Sequence, residues 1–133
     1  SDNIRQAMWD KWVFLAPLAA ATCLMRGSVG EIVACAGGKT FMEGLLGECT
    51  AIAAAEGFAI SEKGQDRTRK FLTDPDSKMT SSMFRDILAG GHIEGDHILG
   101  DLHRRGQKAG IDAPLLGLAR CHVQIYERGM GKA

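Results

Sequence analysis

The chain has 133 residues, 45% hydrophobic and 24% charged, which suffices for one compact domain with a buried core and leaves no room for a second. Lys+Arg 16 against Asp+Glu 16 gives no net charge, so nothing in the balance points to nucleic acid or an anionic membrane surface. Lys11, Pro17 and Arg26 break the richest apolar stretch below the roughly eighteen residues of a membrane span and no signal peptide is evident, so the expected compartment is the cytoplasm.

The first block runs from about Asn3 to Leu24, with Asp2 or Asn3 as N-cap, Gly27 beyond its end, and Pro17 expected to kink it. Ile4, Met8, Lys11, Leu15, Leu18 and Thr22 fall along one stripe of this helix, so Lys11 is expected where a core residue should be. An ammonium there must be paired, reach water along its stem, or line a cleft, and the pattern alone leaves these open.

A short helix over Val29 to Ala34 and the turn "CAGGKT" lead to a longer helix from about Thr40, its expected N-cap, to Glu56, with Gly57 as a left-handed C-cap. Gly38-Lys39-Thr40 resembles the end of a phosphate loop, but that motif needs glycine at position 33, which is Val33, and a preceding strand. Ser61, or a neighbour, starts a polar, largely solvated helix, and "DPDSKMTSS" reads as a loop.

From Ser81 or Ser82 a helix carries "SSMFRDILA" to Gly90-Gly91, and after "HIEGD" another carries "HILGDLHRRGQKA" to Gly110. The last block takes Asp112 as N-cap and Pro114 in its first turn, with Leu115, Leu118, Cys121 or His122, and Ile125 as its expected apolar stripe. With no strand-like alternation anywhere, the fold class is all-α, a compact multi-helix domain.

Cys23, Cys35, Cys49 and Cys121 show no ligand spacing and read as buried free thiols of a reduced compartment. His92, Glu94, Asp96, His97 and His103 lack HExxH or any comparable ligand pattern, so no metal is expected, and acidic groups at a helix start suit its dipole. Arg104, Arg105 and Lys108 read as a solvated helix C-terminus.

Two stretches carry a resemblance, "WDKWVFLAPLAAATCLMRGSVGEI" from Trp9 and "SSMFRDILAGGHIEGDHILGDLHRRGQKAGIDAPLL" over residues 81–116. Both resemble the C-terminal domain of ketopantoate reductase (2-dehydropantoate 2-reductase), in order over nearly the whole chain. The resemblance implies a helical domain of the 6-phosphogluconate dehydrogenase C-terminal type, preceded in the family by a Rossmann domain that binds NADPH. The GxGxxG fingerprint of that domain is absent here, and a start at Ser-Asp-Asn suggests part of a longer protein.

It further implies NADPH-dependent reduction of 2-dehydropantoate or a related 2-keto acid, on the way to pantothenate. Lys11 matches the family's proton-donating lysine, Ser82 a substrate-binding serine and Glu94 a glutamate that binds the substrate hydroxyl. Asp96 is assigned to the same substrate-side group, supporting that helix start. The expected partners are the 2-keto acid, the chain's own Rossmann domain and a second copy in a homodimer. The family's asparagines four and eight residues after the lysine are replaced by Leu15 and Ala19. These two changes also suit another class, a non-catalytic dimerisation or ligand-binding module on the same scaffold.

Overall fold

The first and longest helix, α1 (Asp2–Met25), is the element on which the others are assembled. Its buried face repeats as Trp9, Val13, Ala16, Pro17 and Ala20, a helical spacing that turns one stripe inward. Ala16, Ala20 and Ala21 are fully buried and bring little bulk, so α3 can pack closely along them. The helix runs through Pro17 without a break, and its left-handed terminating residue is Arg26 (φ 56°) where the sequence suggested Gly27.

The computed structural model describes residues 2–130, and among these there are helices and no strand, as the all-α expectation requires. After α1 come α2 (Val29–Ala34), α3 (Gly38–Ala55), α4 (Glu62–Leu72) and α5 (Ser82–Leu88). A π-helical stretch (Asp96–Gly100) then runs directly into α6 (Asp101–Lys108), and α7 (Pro114–Met130) packs back on α1 and α3.

Local chemistry explains most boundaries. Ser28 and Glu31 form a reciprocal capping box on α2, while Ser61 and Ser81 each accept a backbone N–H at the start of α4 and α5. Gly57, Gly90 and Gly110 all have positive φ. Each is followed by a residue whose N–H reaches back five positions, Phe58 to Ala53, Gly91 to Asp86 and Ile111 to Gly106, which closes the last helical carbonyls.

Two expected N-caps move. α3 begins at Gly38 behind Gly37 in the left-handed region (φ 79°), so Thr40 lies within its first turn. A Cβ on Gly38 would collide with the Ile32 carbonyl, and only glycine lets α2 and α3 meet that closely. α7 begins at Pro114, which places Ala113 rather than Asp112 at the cap position. The free N–H groups of Leu115 and Leu116 donate instead to Glu48 of α3, at 3.1 and 2.9 Å. A carboxylate distant in sequence satisfies both the hydrogen-bonding need and the positive end of the helix dipole.

The apolar stripe expected on α7 also lies on the other face. Leu116, Ala119 and Val123 are buried, whereas Leu118 and Ile125 are 61% and 67% exposed. Of the cysteines, Cys23 and Cys49 are buried, but Cys35 and Cys121 are exposed, which corrects the expectation for those two. Burial pushes the Cys23 thiol up to about 11 and that of Cys49 upward as well.

Candidate functional site

Lys11 stands half a helical turn from the buried stripe of α1 and is exposed, which corrects its expected core position. The stripe that contains it is exposed along its first half, with Ile4 64%, Met8 63% and Leu15 36% open to solvent. It becomes buried only at Leu18 and Thr22, where α5 and α2 cover the helix. Among the described residues Lys11 has no hydrogen-bond or ion-pair partner, so its ammonium keeps all three donors for something else.

Its two tryptophan neighbours explain the local pattern. Trp9 and Trp12 lie 4.8 Å apart, and the Arg105 guanidinium of α6 sits 5.7 and 5.6 Å from their ring centres. Arg105 also pairs with Glu56 at 3.3 Å and Asp101 at 3.5 Å. Trp12 donates its indole N–H to the Ile98 carbonyl at 2.8 Å, which ties α1 to the π-helical stretch. The aromatic pair thus anchors one side of α1 and leaves the lysine on the other.

Two hollows flank α1 near Lys11, and Lys11 itself lines the first of them. On its Phe14 side, a hollow of about 380 Å³ between α1 and α4 is lined by Asp10, Lys11, Phe14, Arg67 and Phe71 among others. On its Leu15 side, one of about 220 Å³ holds Leu15, Leu18 and Ala19 of α1, Met79 and Thr80 of the loop, Ser82, Met83 and Arg85 of α5, and Ile98. The second is where the structure puts Ser82, beside the two positions that depart from the family pattern.

The loop before α5 is held in place by α2, whose Val29 and Gly30 N–H groups donate to Met79 and Ser77 carbonyls, both at 2.9 Å. A Cβ on Gly30 would meet the Ser77 carbonyl oxygen at 2.5 Å, so glycine permits this seat. Ser81 is buried and committed: its Oγ lies 2.7 Å from Thr22 Oγ1 and accepts the Phe84 N–H at 3.0 Å. Ser82, the next residue, is exposed and has no hydrogen-bond partner among the described residues.

Glu94 and Asp96 lie on the turn that enters the π-helical stretch. Glu94 is exposed, with a 3.6 Å contact to His97, and lines neither hollow. Asp96 is engaged by Arg104, Nη1 to Oδ1 at 2.8 Å, a hydrogen bond that holds its carboxyl below the usual range and raises the arginine. Glu127 of α7 is pushed up by burial first and by Asp96 and Glu94 second. Gly95 lets α7 approach, since a Cβ there would meet Glu127 Oε1 and Val123 Cγ2 at 2.9 Å.

Lys11 and Ser82 therefore line different hollows of the same helix α1, and Glu94 and Asp96 lie on the neighbouring turn whose Ile98 walls the smaller hollow. Residue pattern alone missed Leu18, Met79, Met83 and Ile98 as lining, although Leu18, Met83 and Ile98 all lie within the two stretches singled out and only Met79, in the loop before α5, lies outside them. Among the described residues there is no group of three or more His, Cys, Asp or Glu able to hold a metal ion, and no helix long and apolar enough to cross a membrane. Those residues also contain no strand and no GxGxxG turn with which to grip a dinucleotide.

The family described as ketopantoate reductase PanE/ApbA C terminal matches residues 3–125. An uncharacterized oxidoreductase of Bacillus subtilis, YkpB, is 30% identical over 127 residues, covering 96% of this chain and 42% of its own length. A 2-dehydropantoate 2-reductase of Halobacterium salinarum is 27% identical over 124 residues, covering 93% and 41%. The solved structure of a dimeric ketopantoate reductase from Staphylococcus aureus superposes with TM-score 0.86 at 25% identity, over 98% of this chain and 45% of that one. The chain thus spans about two fifths of the length of the curated relatives it matches.

Proposed function

Since the chain belongs to the ketopantoate reductase family, as its C-terminal helical domain, we propose that it forms the substrate side of an NADPH-dependent oxidoreductase that reduces a 2-keto acid to the 2-hydroxy acid. The observation that carries this is the exposed ammonium of Lys11, unpartnered among the described residues and one helical turn before Leu15 in the wall of the hollow that holds Ser82.

The nicotinamide would supply hydride to the ketone carbon, and these residues offer no site for it. The cofactor belongs to a Rossmann domain in the part of the relatives' length that this chain does not span. What the chain contributes is grip and proton. The Lys11 ammonium approaches the ketone oxygen, stabilises the negative charge that develops there and passes it a proton from Nζ. Ser82 offers a free hydroxyl to the substrate's polar end. Glu94, exposed on the next turn, is the position that the family resemblance assigns to a substrate hydroxyl, and Asp96 acts through Arg104 to hold that turn.

Pantothenate synthesis in the cytoplasm, with 2-dehydropantoate as substrate, is the family expectation, and self-association is in keeping with the dimeric relative. In the full-length protein, Lys11→Ala should lower kcat for 2-keto acid reduction by about 10²- to 10⁴-fold, the usual worth of a positioned general acid. An unchanged rate would sink the proposal. A second reading, the non-catalytic binding module, is favoured by one fact: neither hollow holds Lys11, Ser82 and Glu94 together. A full-length protein that oxidises no NADPH with any 2-keto acid would decide for it.

A further inference from the structure

Resting on that reading, we infer that the side chain of the 2-keto acid is a hydrocarbon, and that Leu15 and Ala19 impose the choice. The hollow that holds Ser82, one helical turn beyond Lys11, is walled by Leu15, Leu18, Ala19, Met79, Met83 and Ile98. Its polar groups are few and nearly all are spent. Arg85 Nη1 donates to Thr80 Oγ1 at 2.9 Å, and Ser81 is occupied by Thr22 and the Phe84 N–H. The Ile98 carbonyl takes the Trp12 indole.

Ser82 is the single hydroxyl lining the hollow that remains without a partner among the described residues. One free hydroxyl, with the remaining N–H groups of the exposed Arg85, can serve the keto-acid head that every member of this substrate class carries. What is left over for a hydroxyl on the substrate's side chain is the O–H of Thr80, whose oxygen already accepts from Arg85. At about 220 Å³ the space corresponds to roughly seven waters at about 30 Å³ each, ample for a branched or aromatic substituent.

Leu15 and Ala19 stand one and two turns beyond Lys11 on the same face of α1, so they border the path from the ketone to the substrate's side chain. Both present only methyl or methylene groups. A side-chain hydroxyl entering between these two residues gives up its water and finds at most the Thr80 O–H in return. Hydrocarbon burial is rewarded at the same place, and an apolar pocket discriminates against an added hydroxyl by about 10²-fold at most.

The test is NADPH oxidation by the full-length protein with 4-methyl-2-oxopentanoate, phenylglyoxylate and 2-dehydropantoate. The expected result is a kcat/KM for at least one of the two hydrocarbon substrates about 10- to 100-fold above that for 2-dehydropantoate. Equal or better use of 2-dehydropantoate overturns the inference while the reductase reading stands; oxidation with none of the three overturns both. Leu15→Asn should cut the preference at least about tenfold by adding an amide at the hollow's wall. Ala19→Ser, which adds a hydroxyl with little bulk, should move it the same way if Leu15→Asn does not fold. An unaltered preference in a folded variant removes the role assigned to that residue.

Discussion

A lysine and a histidine show how differently single residues declare themselves. Lys11 stands out in the sequence because it interrupts an apolar stripe, and the structure turns the oddity around: the stripe itself is the exposed part. His103 gives no such signal, yet its protonation state follows from one contact, Arg120 Nη1 at 3.1 Å from His103 Nδ1. Arginine can only donate, so Nδ1 must accept and the ring is neutral with its proton on Nε2. Burial first, and the positive Arg120 second, hold the pKa of His103 below its ordinary value. The unfolded chain therefore takes up a proton near pH 6.5 that the folded chain resists, and the unfolded state binds more protons in that window. The contribution of His103 to stability is present above that pH and is lost as the pH falls toward the folded pKa. Urea midpoints measured from pH 7.5 down to pH 5.5 should decline, and His103→Gln should flatten the decline. An equally steep decline in the variant would show that His103 is not its source.

At the scale of elements, the boundaries that depend on neighbours in sequence were legible, and those that depend on distant groups were not. Gly57, Gly90, Gly110, Ser61 and Ser81 cap their helices through residues three to five positions away, so the chain itself announces them. The start of α7 is set by Glu48, whose carboxylate comes from another helix, and no local pattern around Asp112 could reveal it. The π-helical stretch was hidden for the same reason: it accommodates Trp12 donating to Ile98 and Arg104 reaching Asp96, contacts between elements rather than within one. Glu48 carries a measurable load. Glu48→Ala should cost about 1–2 kcal/mol by stripping two N–H groups of their acceptor, and should lower Tm by several degrees. Glu48→Gln should fall between the two, since it keeps one acceptor oxygen and loses the charge that suits the helix dipole. A thermal melt followed by circular dichroism reads both; an unchanged Tm for Glu48→Ala would mean water replaces the carboxylate without loss.

For the molecule as a whole, helical periodicity revealed that every long helix has an apolar face but could not say which faces the fold would cover. α1 and α7 show why. Each carries apolar residues on more than one side, and packing chose Trp9, Val13 and Ala16 over Ile4 and Met8, and Leu116, Ala119 and Val123 over Leu118 and Ile125. The candidate site inherits the same limit, because Leu18, Met79, Met83 and Ile98 become one wall only when three segments meet. The molecule's described residues are helical and give no strand-turn-helix unit whose backbone N–H groups could cradle a pyrophosphate, and its sequence has no GxGxxG. On the reductase reading proposed above, hydride is brought to Lys11 from outside these 133 residues. The 133-residue chain alone should oxidise no NADPH with any 2-keto acid, and calorimetric titration with NADPH should give no tight binding. Submicromolar affinity would mean that the helical domain itself holds the cofactor, and the division of labour argued for Lys11 and Ser82 would have to be redrawn.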